Sequence, residues 1–110
     1  MADKVVIILS SGEKGKVLTG IRYATRVQQE KLLPEVKVIL FGPVEKLVLE
    51  DEEVQSALLG LKAFETPVAC KTISDKQGLS EGLAGIGLEV DYVGPLISRY
   101  IREDYIPLVF

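Results

Sequence analysis

The apolar run Val5-Val6-Ile7-Ile8-Leu9, between Lys4 and Ser10, is the strongest structural signal in this sequence of 110 residues. The run is continuous rather than alternating, which is typical of a strand that is covered on both faces, as in a parallel sheet. Four further segments rich in β-branched or aromatic residues indicate additional strands. The five predicted strands are Lys4–Ser10, Val36–Phe41, Pro67–Cys70, Glu89–Val93 and Ile106–Phe110.

Helical patterns separate the predicted strands. The first helix is predicted over about Lys14–Leu32, because small and apolar residues recur there with a period of 3.6. The second is expected to begin in the acidic run Glu50–Glu53, whose charges suit the positive end of a helix dipole. Ser80 is expected to cap a short third helix, and Pro95 is expected at the first position of a fourth.

The predicted order of elements is therefore β-α-β-α-β-α-β-α-β. Parallel strands need crossover connections, and right-handed crossovers place helices on both faces of the sheet. The length of the chain suits one domain and leaves little room for a second. The sequence thus predicts a single α/β domain over residues 1–110, a three-layer α/β/α sandwich around a five-stranded, mostly parallel sheet.

The composition excludes several classes of function. The chain has no histidine, which removes the usual general base and a common zinc ligand, and its single cysteine, Cys70, cannot form an internal disulfide. The net charge is −3 and the 13 basic residues are scattered, so nothing indicates a surface for nucleic acid. We expect a cytoplasmic protein with no metal, no cofactor, no nucleic acid and no membrane partner. The absence of asparagine and the abundance of Lys and Glu resemble thermophile compositions.

The loop Ser10–Lys16 follows the first predicted strand, at the sheet edge where ligands collect in open α/β sheets. Small residues before a helix expose backbone N–H groups, and Lys16 adds a positive charge, so the loop resembles a phosphate cradle. Its spacing is not that of a P-loop, since only two residues separate Gly12 from Gly15 and Val17 follows the lysine. A plain strand-to-helix turn is the favoured interpretation, and anion binding stays open.

Cys70 ends the third predicted strand and is the one candidate nucleophilic thiol. Such a residue is more often a small buried hydrophobe than a nucleophile. Lys71 follows it, however, and the segment Thr72–Asp75 is predicted to start a helical turn directed at the sulfur. A neighbouring cation and helix N–H groups both favour the reactive thiolate. Two interpretations stay open, a partly exposed thiolate that carries sulfur and a buried, inert thiol.

Five segments together carry a family resemblance. They are Lys4-Val5-Val6-Ile7-Ile8, Leu18-Thr19-Gly20-Ile21-Arg22-Tyr23-Ala24, Val38-Ile39-Leu40-Phe41-Gly42, Val68-Ala69-Cys70-Lys71-Thr72 and Gly78-Leu79-Ser80-Glu81-Gly82-Leu83. Over nearly the whole chain this arrangement resembles the DsrE/DsrF-like family. The resemblance implies a sheet with strand order 4-3-2-1-5, a homo-oligomer such as a trimer or hexamer, and work in sulfur transfer.

The resemblance also implies a mechanism, in which Cys70 carries a persulfide as a sulfur carrier or possible sulfurtransferase. Its partners would be sulfur donor and acceptor proteins or small sulfur anions. Lys71 and a rim of neighbouring residues complete the expected site. The rim consists of Ser10, Ser11, Gly12, Phe41 and Gly42. The competing hypothesis is a non-catalytic oligomeric module that binds a small anion or a nucleotide, and a buried Cys70 would favour it.

Overall fold

The elements are those of a computed structural model, which describes residues 3–110. In chain order they are β1 (Lys4–Leu9), α1 (Lys14–Gln29), β2 (Glu35–Leu40), α2 (Val44–Glu50), α3 (Glu52–Gly60), a 3-10 turn (Leu61–Ala63), β3 (Val68–Cys70), α4 (Lys71–Gln77), α5 (Ser80–Gly85), β4 (Glu89–Asp91), α6 (Val93–Arg102) and β5 (Ile106–Val109). Each predicted strand is present, with ends that differ by at most two residues.

The five strands form one sheet in the order β4-β3-β2-β1-β5, and each neighbouring pair is parallel. The predicted α/β sandwich and its strand order are therefore confirmed. β1 lies between β2 and β5, with Val5 opposite both Val36 and Ile106. Its position explains the unbroken apolar run, because a strand with neighbours on both sides and helices on both faces meets no water.

Two hydrophobic cores lie on opposite faces of the sheet, and alternate residues of β1 contribute to each. Ile7 and Leu9 face the larger core, which α1, α2, α3 and α5 cover. Val6 and Ile8 face the smaller core, which α6 covers. The buried residues of the smaller core are Val6, Ile8, Ile39, Cys70, Val93, Tyr100 and Tyr105. The helices therefore form the two outer layers of the sandwich.

α1 packs unusually close to the sheet at Gly20. A β-carbon built there would lie 2.7 Å from Leu9 Cδ2 and 2.7 Å from Phe110 Cγ. The helix can approach the sheet this closely because residue 20 has no side chain. It brings the amino-terminal half of α1, and the loop before it, against the end of β1.

The prediction that the acidic run starts a single helix is wrong, because the run separates two helices. Glu50 ends α2, which the sequence analysis did not predict, and Glu52 begins α3. Between them Asp51 is extended (φ −122°, ψ 115°), and its carboxylate accepts a hydrogen bond of 3.0 Å from the Val54 N–H. A side chain that caps the following helix favours such a break, because it satisfies an N–H that has no partner within the helix.

Two predicted helix starts also need correction. Ser80 does not cap α5 but is its first residue, and its hydroxyl bonds to Ser74 and Asp75 instead. It therefore ties α5 to α4. Pro95 is the third residue of α6 rather than the first, a position still within the first turn, where a missing N–H costs no hydrogen bond. In residues 3–110, no helix combines the length and the apolar character needed to cross a membrane.

Candidate functional site

The carboxyl edge of the sheet brings three of the predicted site residues to one level. Leu9 is opposite Leu40, which is in turn opposite Ala69, so the next residues of the three strands lie side by side. These are Ser10, Phe41 and Cys70. Phe41 is 41% exposed, whereas Cys70 is buried. The three predicted site residues therefore converge at this edge, but Phe41 is accessible to solvent whereas Cys70 is not.

Gly42 lets the turn after β2 approach the end of β1. Its φ is +142°, and a β-carbon there would lie 2.7 Å from both the carbonyl oxygen and the Oγ of Ser10. The Ser10 carbonyl accepts a 3.2 Å hydrogen bond from the Val44 N–H. Glycine is needed here for backbone reasons, because an L side chain would be strained by both the φ and the contact.

The loop that precedes α1 uses its own donors within the chain. The N–H groups of Ser10 and Ser11 both donate to the Phe110 carbonyl, at 2.7 and 3.2 Å, and Ser11 Oγ accepts from the Glu13 N–H at 2.9 Å. Gly12 is exposed beside Pro43. These contacts agree with the strand-to-helix turn favoured above. A surface pocket of about 500 Å³ adjoins the loop, lined by Ser10, Ser11, Lys16, Thr19, Val109 and Phe110.

Cys70 stands where β3 ends and α4 begins. The predicted helical turn after the sulfur is present, because α4 starts at the next residue, Lys71. The thiol is not partly exposed, however. Only 4% of the residue is accessible, and it belongs to the smaller core together with apolar residues such as Ile39 and Val93. Sulfur chemistry at this position therefore requires local opening of the structure.

The Lys71 ammonium group, expected beside the sulfur, is paired with a carboxylate. Its Nζ lies 2.9 Å from Asp75 Oδ2, one turn further along α4. The hydrogen bond to Asp75 raises the pKa of Lys71. The Ser80 hydroxyl and then the Lys71 ammonium lower the pKa of Asp75. Much of the positive charge of Lys71 is thus compensated by Asp75 rather than left free for an anionic sulfur.

Glu45 is a buried polar residue of this edge that the sequence analysis missed. It lies in the first turn of α2, none of it is accessible to solvent, and neither carboxyl oxygen has a hydrogen-bond partner among residues 3–110. Burial raises the pKa of Glu45 to about 7. The backbone N–H of Cys70 opposes this rise and lowers the pKa, although it is not in hydrogen-bond geometry with either oxygen.

The signal that would have found Glu45 is the helix that carries it. Val44 and Val48 are one turn apart and fully buried, so a helix over Val44–Glu50 turns one side into the core. Pairing that helix with the strand order would have placed its first turn beside the ends of β2 and β3. Without α2, residue 45 lies in a segment that has no predicted element.

No group of three or more histidine, cysteine, aspartate or glutamate side chains in the part of the chain that the structure describes could hold a metal ion.

Comparison with known proteins defines the fold of this chain. No protein-family model matches it, and no curated protein matches it. Among solved structures it is similar to BT1422, a conserved protein of unknown function from Bacteroides thetaiotaomicron, with 25% sequence identity and a TM-score of 0.89. The match covers 98% of this chain and 95% of that chain. The whole domain is therefore shared with that protein.

Proposed function

We propose that this chain is a cytoplasmic sulfur carrier of the DsrE/DsrF-like family, in which Cys70 holds a persulfide. The observation that carries the proposal is the position of the thiol. It lies at the carboxyl end of β3, immediately before α4 and level with Ser10 and Phe41. In open α/β sheets this edge is where ligands bind. The strand order 4-3-2-1-5, which the family resemblance implies, supports the family assignment.

A single thiolate is sufficient for loading and delivery. With thiosulfate as donor, the Cys70 thiolate attacks the sulfane sulfur and a new S–S bond forms. The S–S bond of thiosulfate breaks, and sulfite leaves with its electron pair. A nucleophile of the acceptor then attacks the terminal sulfur and the Cys70 thiolate departs unchanged. The cycle needs no oxidant, no reductant and no second cysteine, in keeping with the single cysteine of the sequence.

Access to the sulfur depends on α4, which follows β3 directly and, together with α6, covers the smaller core through Ile73. α4 has seven residues, and most of them are exposed or half-buried. Isolated helices of this length are marginal, so their position depends on a small number of tertiary contacts. Segments with few buried apolar contacts open at a lower free-energy cost than the core. Local opening here would expose Cys70 and leave the central strands intact.

Exposed apolar side chains support the proposal of a homo-oligomer, a trimer or hexamer. Large apolar residues that are exposed together on a small domain commonly mark an interface with other chains, whereas single ones do not. Several lie on or beside β5 and the ends of α6. They are Tyr92, Ile101, Ile106 and Val109, which are 54%, 52%, 47% and 68% exposed.

Mass spectrometry of the intact protein tests the carrier directly. The native protein is incubated with thiosulfate or polysulfide, freed of the donor and weighed beside Cys70→Ser. We expect one added sulfur atom on the wild type, removed by dithiothreitol, and none on the variant. Because Cys70 is the only cysteine, an equal mass gain in Cys70→Ser would refute the proposal, as would a wild-type protein that gains no mass.

A non-catalytic module that binds a small anion or a nucleotide is the second candidate. The observation that favours it is the pocket beside the Ser10–Lys16 loop, together with the burial of Cys70. Lys16 is the basic side chain of this pocket, and its Nζ lies 3.8 Å from Glu13. Thermal unfolding with phosphate and with nucleotides tests it, because a ligand of the native state raises the melting temperature. A rise that Lys16→Ala abolishes supports the module.

A further inference from the structure

Glu45 and Cys70 meet at the β3–α4 junction, which we define as residues 69–72. Glu45 approaches the junction from α2, where its own N–H donates to the Gly42 carbonyl at 3.1 Å. Its side chain is fully buried and close enough to the Cys70 N–H for that group to lower the pKa of the carboxyl group. Both carboxyl oxygens nevertheless lack a hydrogen-bond partner in residues 3–110. The junction thus combines a buried thiol with a buried carboxyl group.

The charged groups around α2 are engaged elsewhere or face solvent. Lys46 pairs with Glu50, and Lys71 pairs with Asp75, at 3.7 and 2.9 Å. Asp51, just before α3, and Glu53, within it, both pair with Lys14. The remaining charged residues of α3, α4 and α5 are exposed, namely Glu52, Lys76 and Glu81. No ion pair to Glu45 is present among these residues to compensate its charge.

The two protonation states of Glu45 therefore differ in how well the closed junction accommodates them. A neutral carboxyl group tolerates an apolar site, whereas a carboxylate without partners loses its hydration and gains nothing in return. Opening of the junction restores water to the carboxylate. The same opening uncovers Cys70, because its backbone N–H is near Glu45 and its thiol belongs to the smaller core, against which Ile73 of α4 packs.

We propose that Glu45 is a positioning residue for Cys70. The protonated Glu45 carboxyl group leaves the β3–α4 junction closed, and the ionised carboxylate favours opening of the junction. This inference rests on the proposed function, since it explains how a buried sulfur becomes available to donor and acceptor. Loading of Cys70 then depends on pH in two ways, through the thiol itself and through the carboxyl group that controls access to it.

Alkylation of Cys70 by iodoacetamide tests the inference. The thiolate displaces iodide, and the rate is measured by mass spectrometry on the native wild type between pH 5.5 and 8. Below the thiol pKa, thiolate increases tenfold per pH unit. If the pKa of the carboxyl group returns to its ordinary value on opening, the open fraction of the junction also increases, by about tenfold per pH unit below pH 7 and not above it. We expect the logarithm of the rate to rise with slope two below pH 7 and slope one above.

Two matched variants identify the group responsible. Glu45→Gln keeps the shape of the side chain but cannot ionise, so we expect slope one throughout. Glu50→Gln, the same change at an exposed position of the same helix, should keep the change of slope. A wild-type slope of one below pH 7 overturns the inference, and so does a slope of two in Glu45→Gln. If the slopes are as expected but no persulfide forms, the carrier function fails while the control of access by Glu45 stands.

Discussion

The turn after β2 depends on the absence of a side chain at Gly42. We expect Gly42→Ala to lower the free energy of unfolding by about 1–3 kcal/mol, because it combines a strained φ with a clash. The φ is +142°, and the new β-carbon would lie 2.7 Å from the Ser10 carbonyl oxygen. Urea denaturation measures the loss.

Gly60→Ala is the matched control for that substitution. Gly60 ends α3 with a helical φ of −59°, and no atom lies within 4 Å of a β-carbon built there. Alanine should therefore leave stability unchanged or raise it by about 0.5–1 kcal/mol, as expected from helix propensity. Equal stability of Gly42→Ala and wild type would show that the turn does not need glycine.

Glu45 gives the stability of the protein a dependence on pH that is opposite to that of an ordinary paired carboxylate. Its pKa rises from 4.5 to about 7 on folding, so the native state binds the proton more tightly. The stabilisation is fully present below pH 4.5 and is lost as pH rises to about 7. The loss is about 3 kcal/mol, from 1.36 kcal/mol per pKa unit.

The comparison that isolates this effect is between wild type and Glu45→Gln, measured by urea denaturation from pH 4 to pH 8. Asp51 and Asp75 have lowered pKa values, owing chiefly to the Val54 N–H and the Ser80 hydroxyl respectively. Both carboxylates stabilise the protein more as pH rises. Because they do so equally in wild type and Glu45→Gln, their contributions cancel in the difference between the two proteins. We expect wild type to lose stability relative to the variant up to about pH 7. A difference that does not vary with pH would exclude a raised pKa.

Among the secondary-structure elements, β1 and α1 are those the sequence specifies most strongly. The run Val5-Val6-Ile7-Ile8-Leu9 can be buried only as a central strand, and Gly20 marks where the helix approaches it. α2 could not be predicted in the same way, because Gly42 and Pro43 indicate a turn and the acidic run suggests one later helix. Its position depends on the buried residues Val44 and Val48, which are recognisable only once the sheet is known.

Asp51 separates α2 from α3, so it defines the end of α2 and the start of α3. It caps α3 through the Val54 N–H and lies 3.1 Å from Lys14 Nζ on α1. We expect Asp51→Ala to cost about 1 kcal/mol, the usual effect of a lost N-cap. Asp51→Asn should cost less, since an amide oxygen can accept the same hydrogen bond. Guanidinium unfolding distinguishes the two, and equal losses would assign the effect to the ion pair instead.

For the whole molecule, the order of the strands determines which residues share the candidate site. The sequence predicted that Ser10, Phe41 and Cys70 lie at one edge, because the carboxyl ends of parallel strands do so. It could not predict that Cys70 is buried, since this depends on how α6 covers that face. It also could not predict the pairing of Lys71 with Asp75, which competes with any role at the sulfur.

The uncovered surface around β5 predicts assembly of the chain. We expect light scattering during size-exclusion chromatography to give a trimer or hexamer of the 12.0 kDa chain. Val109→Lys places a charge on a residue that is 68% exposed, so it should dissociate the assembly without unfolding the domain. Leu32→Lys, at an equally apolar residue that is 60% exposed in the turn after α1, is the control. A monomeric wild type would contradict the assembly.

Delivery of sulfur by the native protein tests the central claim most directly. Wild type and Cys70→Ser are loaded with a sulfane donor, separated from it and treated with cyanide, which removes a terminal persulfide sulfur as thiocyanate. We expect about one thiocyanate per chain from wild type, by the exchange chemistry of a single thiol, and none from the variant. No thiocyanate from the loaded wild type, or the same amount from Cys70→Ser, would contradict the assignment of Cys70 as a sulfur carrier.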